Sequence, residues 1–219
     1  MKFKVGVLTN VTHEHLDWHG SMKKYLETKF ILLKNAEIVV LNRDEDDVYN
    51  QIISKLQKKN VVTYGIRRNA KVTQAKFAFK TKLIGNFNIY NCLAAYSAAL
   101  CLGIDKKSIT HAISEFNGVP GRMQILVDKP FHIIIDFAHT PNAFEQILRT
   151  IKPLVKGKLI HVFGSAAKRD KIKRPLMGEI SSKYADIVIL TEEDYRDEDV
   201  NQIMKQIAQG IPQAKNVYQ

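Results

Sequence analysis

The sequence predicts an α/β protein with two domains, each built on a mainly parallel sheet flanked by helices. Short apolar runs, such as residues 38–41, alternate with longer segments of helical periodicity along most of the chain. Strands that alternate with helices in this way form parallel sheets. A turn-rich stretch, Asn117-Gly-Val-Pro-Gly121, interrupts the alternation, which then restarts. We therefore expect one domain at residues 1–117 and a second at 118–219.

The elements follow from the periodicity of the apolar residues. In the first domain it predicts strands at 3–9, 38–41 and 61–64 and helices at 21–34, 44–58, 88–102 and 105–116. Asp105 is placed to cap the last of these helices, and alternation over 70–83 is typical of an antiparallel ribbon. In the second domain we expect strands at 131–136, 158–163 and 186–190 and helices at 141–151, 173–184 and 198–209.

Composition limits the classes of partner. The net charge of +11 raises the possibility of nucleic-acid binding, but the lysines are spread out and no nucleic-acid motif is found. A basic surface that attracts phosphorylated substrates explains the charge equally well. Cys92 and Cys101 lie within one apolar helical pattern, which indicates reduced thiols. With no long apolar run or signal peptide, we expect a cytoplasmic monomer that does not insert into membranes.

The segment Asn10-Val-Thr-His-Glu-His-Leu-Asp-Trp-His-Gly20 crowds histidines and acids after the first predicted strand, where α/β proteins place ligands. Lys29 falls on the apolar face of the next helix. A buried lysine amine becomes neutral more easily, and a neutral amine can form a carbamate suited to Mg²⁺. Two alternatives stay open: a zinc site formed by His13, His15 and His19, and a lysine whose ammonium reaches water.

Four further segments carry candidate ligand-binding residues, each with a structural alternative. The amides of Asn88 and Asn91 lie one turn apart at a helix start, where capping is the simple explanation. The other three are an arginine in the turn-rich stretch, an acid and an imidazole after strand 131–136, and a basic loop after strand 158–163. Their strings are Gly118-Val-Pro-Gly-Arg-Met123, Asp136-Phe-Ala-His-Thr-Pro141 and Phe163-Gly-Ser-Ala-Ala-Lys-Arg-Asp-Lys-Ile-Lys-Arg-Pro-Leu-Met-Gly178.

Taken in order, these segments resemble the Mur ligase family over residues 8 to about 200. The resemblance implies a central ATP-binding domain and a C-terminal domain. It implies that Mg²⁺ is bound by His15 and by Lys29 as a carbamate, and that both residues serve catalysis together with His139. The implied ATP contacts are Asn91, Arg122, Asp136 and His139. The implied substrate contacts are Arg169, Asp170, Lys173 and Arg196, the last of which grips a carboxylate of the incoming amino acid.

The sequence also departs from the family pattern. Ser165-Ala-Ala167 replaces Cys-Gly-Gly in the basic loop, and the loss of two glycines restricts positive φ. Around Arg196, Glu193-Asp-Tyr195 replaces Asp-Asn-Pro. No Gly-x-x-x-x-Gly-Lys-[Ser/Thr] phosphate loop is present. We therefore expect a piece of a ligase that is inactive alone, with an unpaired sheet edge in its first domain.

The family branch that the motifs favour adds a diamino acid, meso-diaminopimelate or lysine, to UDP-MurNAc-L-Ala-D-Glu in peptidoglycan biosynthesis. The resemblance implies an ATP-dependent reaction through an acyl phosphate, with Mg²⁺, the nucleotide peptide and the diamino acid as partners. Two alternatives remain. One is a ligase like folylpolyglutamate synthetase, and the other is a non-catalytic nucleotide-binding or interaction module.

Overall fold

The structure is a computed structural model that describes residues 1–12, 16–56, 60–213 and 216–218. The chain divides into two compact units. The first comprises Met1–Thr12 and Gly20–Pro120, and the second contains Gly121–Gln219.

The first unit is a three-stranded parallel sheet with helices on both faces. Its strands, in spatial order, are β1 (Phe3–Leu8), β2 (Ala36–Asn42) and β3 (Asn60–Tyr64). The helices that follow these strands are α2 (Met22–Lys34), α3 (Asp46–Ile53), α4 (Asn86–Cys101) and α5 (Lys106–Glu115). A four-residue helix, α1 (Leu16–His19), lies between β1 and α2 in the sequence.

The central strand β2 supplies both faces of this sheet. Val39 and Leu41 are buried in one cluster with residues of α2 and α3, whereas Val40 is buried in another with residues of α4 and α5. Successive side chains of a strand point to opposite faces, so this run of apolar residues reads as a strand covered on both sides. The mainly parallel α/β fold expected from the sequence is confirmed.

Helices α2 and α5 begin at residues whose side chains cap them. The Asp105 carboxylate accepts the backbone N–H of Ser108 at 3.0 Å, as expected for the N-cap of α5. Ser21 caps α2 in the same way, through the N–H of Lys24. Helix α3 is shorter than predicted, because it begins after the turn that contains Asp44 and ends at Ile53.

The antiparallel ribbon expected at residues 70–83 is wrong. Within the described residues this segment forms only one isolated bridge, a parallel one between Val72 and Tyr64. The chain then turns at Thr73, whose carbonyl accepts the N–H groups of Lys76 and Phe77. The alternating aromatic residues reflect packing against α4, since the Phe77 ring lies 5.3 Å from that of Tyr96.

The second unit combines a parallel sheet with a separate antiparallel pair. Strands β4 (Gln124–Val127) and β5 (Ile133–Ile135) form the pair, and β6 (Ile160–Phe163), β7 (Ile187–Leu190) and β8 (Asn216–Tyr218) form the parallel sheet. The helices are α6 (Pro141–Ile151), α7 (Lys173–Tyr184) and α8 (Val200–Ala208), and a 3₁₀ turn (Lys152–Leu154) follows α6. Helices α6 and α7 have the predicted bounds, whereas β4 and β8 were not predicted.

Cys92 and Cys101 are free thiols, and burial raises the pKa of each. In the described part of the chain, no helix combines the length and the apolar character needed to cross a membrane.

Candidate functional site

In the first unit, polar side chains gather beyond the carboxyl ends of β2 and β3. The Asp44 Oδ2 atom accepts the N–H of Ile66 at 2.7 Å, the N–H of Arg67 at 2.9 Å and the Tyr90 hydroxyl at 2.7 Å. Its Oδ1 atom accepts the N–H of Arg68 at 2.7 Å. These hydrogen bonds outweigh the effect of burial and lower the pKa of Asp44. Asp44 therefore ties the loop after β3 to α4.

The start of α4 presents the two amides that the sequence singles out. Gly85 precedes the helix with a φ of 97°, a left-handed conformation that favours glycine. Asn88 lies inside the helix, so it does not act as the N-cap; its side chain donates to the Ile84 carbonyl at 2.8 Å. Asn91 is exposed and donates to Asn88 Oδ1 at 3.2 Å. Asn88 is thus structural, and Asn91 is the amide that faces solvent.

The predicted magnesium ligands are not assembled by the described residues. Lys29 is exposed, so the expected burial of its amine is wrong; its Nζ atom lies 5.3 Å from the centre of the Tyr25 ring. Tyr25 and Leu26 fill the buried face of α2, and the long lysine side chain runs out over the aromatic ring. His15 lies outside the described residues. Where side chains are described, no three His, Cys, Asp or Glu groups converge.

In the second unit, Arg122 and Asp136 lie together at the end of β5. Asp136 Oδ2 accepts the N–H of Met123 at 2.7 Å, and Oδ1 accepts the N–H of Ala138 at 2.7 Å. Met123 has a φ of 48°, a strained left-handed conformation for a residue with a side chain. The Arg122 guanidinium stacks on the Phe137 ring, 4.1 Å from its centre. Each Asp136 oxygen accepts one hydrogen bond and has a second lone pair that can accept another.

His139 and Lys173 extend the same cluster. The His139 Nδ1 atom lies 2.9 Å from the Phe137 carbonyl oxygen, and the two rings meet edge-on at 5.0 Å. Lys173, at the start of α7, is buried and donates from Nζ to the His139 carbonyl at 2.9 Å. The ammonium thus brings a positive charge to the end of β5. We call Arg122, Asp136, His139 and Lys173 the β5 cluster.

The basic loop after β6 is held by Glu198. Its left-handed residue does not lie at the positions of the lost glycines. Lys168 is its left-handed residue, with a φ of 53°, whereas Ser165, Ala166 and Ala167 are absent from the positive-φ residues. These three residues avoid positive φ, as expected for residues with side chains, and the effect of the lost glycines on substrate contacts stays a prediction. Glu198 accepts the N–H of Lys168 at 3.2 Å and pairs with Lys171 at 2.9 Å.

The remaining predicted substrate residues lie on exposed loops. Asp170 Oδ1 accepts the N–H of Ile172 at 3.0 Å just before α7, and Arg169 is exposed. Arg196 donates from Nε and Nη2 to a single oxygen of Asp194, at 3.0 and 2.9 Å. The Nε/Nη2 edge of the guanidinium is therefore engaged by a neighbour, and the Nη1/Nη2 edge is the second one that can grip a carboxylate.

Sequence reasoning missed Asp44, Glu198 and Arg174. Arg174 is fully buried and donates to Glu198, to Gln206 and to the Ala166 carbonyl. The available signals were weak: Asp44 is an acid shortly after a buried strand, and Arg174 belongs to a string that was assigned to ligand binding. All three hold loops in place.

Helices on both faces of a parallel sheet in one unit, and a charged cluster at a strand end in the other, are the arrangement in which α/β proteins bind ligands. Residues 1–99 match the family model described as Mur ligase middle domain, and residues 121–219 match that described as Mur ligase, glutamate ligase domain. The chain therefore belongs to the Mur ligase family, and the resemblance drawn from the sequence is confirmed.

One curated relative is UDP-N-acetylmuramoyl-L-alanyl-D-glutamate--2,6-diaminopimelate ligase from Aquifex aeolicus (strain VF5). It is 37% identical over an alignment of 232 residues, which covers 99% of this chain and 48% of the relative. A solved structure of a ligase with that name has 31% identity and a TM-score of 0.60, over 98% of this chain and 49% of its own. A pseudomurein peptide ligase type C from Methanothermus fervidus has 26% identity and a TM-score of 0.79, over 98% and 52%. The chain spans about half the length of the curated relatives it matches.

Proposed function

We propose that this sequence belongs to an ATP-dependent ligase that adds a diamino acid to UDP-MurNAc-L-Ala-D-Glu during peptidoglycan precursor synthesis. The relatives named above are ligases for this nucleotide peptide and 2,6-diaminopimelate. The observation that carries the proposal is the β5 cluster, in which an arginine, an acid, an imidazole and a buried ammonium meet at one strand end.

The proposed reaction has two steps. A carboxylate oxygen of the D-glutamate attacks the γ-phosphorus of ATP, so that a carboxyl–phosphate bond forms and ADP leaves. The amine of the diamino acid then attacks the acyl carbon, phosphate leaves, and the amine loses a proton. Negative charge builds on phosphate and carbonyl oxygens in both steps, and fixed cations near these oxygens lower the barriers. Lys173 and Arg122 are such cations.

Four side chains are assigned to nucleotide recognition. Asp136 retains one lone pair on each oxygen to accept ribose hydroxyls, and Arg122 is already held on the Phe137 ring for hydrogen bonding or stacking. His139 is assigned to the phosphates, and the exposed Asn91 amide is assigned to the adenine edge.

The other substrates are assigned to the loops after β6 and β7. Arg169, Asp170 and Lys173 are assigned to the acceptor substrate, and Arg196 to a carboxylate of the diamino acid. A guanidinium can hold a carboxylate with two parallel hydrogen bonds. The names of the relatives favour 2,6-diaminopimelate over lysine.

The magnesium roles of His15 and of carbamylated Lys29 stay predictions, because the described residues do not form a metal site. The Lys29→Ala variant tests the second of them. We expect loss of ligation that bicarbonate does not restore and that a small carboxylate such as acetate partly rescues. Activity equal to the wild type would leave Lys29 as a surface lysine over Tyr25.

The test of the reaction is ADP release by the full gene product in which this sequence occurs. We expect release only when the nucleotide dipeptide and the diamino acid are both present, with a product heavier by one diamino acid residue. ADP release with a folylglutamate acceptor instead would favour the alternative of a ligase like folylpolyglutamate synthetase. If no acceptor stimulates ADP release, the proposed ligase activity is refuted. In the same assay, Asp136→Asn should raise the KM for ATP, whereas Asp128→Asn, which alters an exposed carboxylate paired with His132, should not.

A further inference from the structure

Asp44 lies where three parts of the first unit meet, namely the end of β2, the loop after β3 and the second turn of α4. We propose that Asp44 is a positioning residue for nucleotide binding, which fixes the first turns of α4 through Tyr90 and thereby sets the direction of the Asn91 amide. This inference rests on the proposed role of Asn91 toward adenine.

The Asp44 carboxylate accepts four hydrogen bonds. Three donors converge on Oδ2 and a fourth meets Oδ1, so the group must act as an acceptor on both oxygens. A side chain at Gly65 would lie 3.1 Å from Oδ1, so the loop packs directly against the carboxylate. The backbone of Asp44 is held as well, since its N–H donates to Asn42 and its carbonyl accepts from Arg67.

The first turns of α4 contribute no fully buried side chain, although Ile89 and Tyr90 pack against the core with part of their surface exposed. The buried residues of this helix begin at Cys92, whereas residues 86–91 keep part of their surface exposed. The N-cap, Gly85, supplies no side-chain hydrogen bond. The hydroxyl of Tyr90 therefore provides a directional link from these turns to the sheet edge.

The geometry of a helix carries this link to Asn91. Successive residues leave an α-helix about 100° apart, so fixing Tyr90 against Asp44 fixes the direction in which Asn91 projects. Asn91 is held in turn by Asn88, whose own amide donates to the Ile84 carbonyl. A rotation of these turns would move both amides together, and misplaced contacts weaken binding.

The test compares Tyr90→Phe with a matched control, Tyr64→Phe. Both variants lose one phenol oxygen in the same unit, but the Tyr64 hydroxyl is buried without a hydrogen-bond partner among the described residues. Amide hydrogen exchange of residues 86–91 reports on the helix start, and calorimetry with ADP as the probe reports on affinity. An Asn91→Ala variant measures the proposed adenine contact directly.

We expect Tyr90→Phe to speed exchange at residues 86–91 by about tenfold and to weaken ADP binding by about three- to tenfold, while Tyr64→Phe changes neither. Asp44→Asn should also speed exchange at residues 66–68, because its amide group turns a donor toward an N–H.

The Tyr90 hydroxyl also interacts with the Arg67 side chain, so Arg67→Ala, which keeps the Tyr90–Asp44 hydrogen bond, is measured beside Tyr90→Phe. If Asp44→Asn fails to fold, faster exchange at residues 86–91 in Tyr90→Phe but not in Arg67→Ala assigns the effect to Asp44.

Unchanged exchange in Tyr90→Phe overturns the inference whatever the nucleotide result. Faster exchange with unchanged ADP affinity also overturns it, provided that Asn91→Ala weakens binding. The proposed adenine contact fails separately, if Asn91→Ala binds ADP as tightly as the wild type. In that event faster exchange in Tyr90→Phe but not in Arg67→Ala still supports Asp44 as the anchor of α4. The ligase reaction is tested on its own, by acceptor-dependent ADP release from the full gene product.

Discussion

The buried guanidinium of Arg174 pairs with both oxygens of Glu198, from Nη1 to Oε1 at 2.7 Å and from Nη2 to Oε2 at 3.1 Å. The pair joins the start of α7 to the loop that precedes α8. Hydrogen bonds from Arg174 and Lys171 hold the pKa of Glu198 well below its usual range. Glu198 also accepts the N–H of Lys168, so one carboxylate fixes both α7 and the basic loop.

The first prediction is that Glu198→Ala destabilises the second unit by about 3 kcal/mol. Removal of one partner of a buried ion pair leaves the other charge buried and uncompensated. Arg174 would retain only the Gln206 oxygen and the Ala166 carbonyl. Urea titration followed by circular dichroism measures the loss as a lower unfolding midpoint.

Asp197→Ala is the matched control for this variant. Asp197 neighbours Glu198 in sequence and forms an ion pair with Lys168, but both of those side chains are exposed. Exposed pairs contribute little because water and salt screen them. Equal shifts of the midpoint in the two variants would contradict the anchoring role of Glu198.

The second prediction concerns the close approach of α7 and the end of α8. A Cβ atom at Gly178 would overlap the backbone carbonyl of Ile207 and would lie 3.1 Å from the Ile211 side chain. Gly178→Ala should therefore destabilise the second unit by about 2 kcal/mol or more. Gly157→Ala is the control, since a Cβ there meets nothing within 4 Å. Thermal unfolding compares the two, and similar melting temperatures would show that the helices separate at little cost.

The elements that the sequence predicted well are those with strong periodicity or a recognisable cap. Helix α6 begins directly after Thr140, whose hydroxyl accepts the N–H of Ala143, and its apolar residues Phe144 and Leu148 recur at helical spacing. The β5 cluster residues were identified because strand ends attract ligands and because the strings resemble a family.

The predictions that proved wrong concern contacts and side-chain positions that periodicity in the sequence does not encode. The alternation of Phe77 and Phe79 arises from packing on Tyr96 and not from strand pairing. Helical spacing placed Lys29 on the apolar face, but spacing alone does not say how far a long side chain extends toward water. The hydrogen bonds of Asp44 to residues 66–68 leave no periodic signal in the sequence.

The third prediction is a pH dependence that arises from His161. Burial among Phe144, Phe163 and Ser181 lowers the pKa of His161 from its usual 6.5 to about 4. Between these values the unfolded chain binds a proton that the folded chain excludes, so the free energy of unfolding falls as the pH decreases. The contribution is complete above about pH 6.5, and about 3 kcal/mol is lost on reaching about pH 4.

The His161→Phe variant isolates this contribution. It keeps an aromatic ring between Phe144 and Phe163 but cannot take up a proton. Urea titrations at about pH 7 and about pH 4.5 should show a smaller loss of stability in the variant than in the wild type. The comparison cancels the carboxylates, such as Asp44, that lose their charge at lower pH in both proteins. Equal losses would mean that His161 is protonated in the folded protein.

The fourth prediction rests on the proposed function: Asp194→Asn should lower the KM for diaminopimelate by about two- to fivefold, with kcat unchanged. Both Nε and Nη2 of Arg196 donate to one Asp194 oxygen, so an incoming carboxylate either displaces Asp194 from this edge or binds the Nη1/Nη2 edge beside the Asp194 charge. The effect is modest because the pair is exposed and water already weakens it. Glu192→Gln removes the same charge from the same loop and serves as the control in steady-state kinetics with the full gene product. Equal decreases of the KM in both variants would mean that Asp194 acts only through its negative charge and does not compete for Arg196. A higher KM in Asp194→Asn would mean that Asp194 holds Arg196 in the binding orientation.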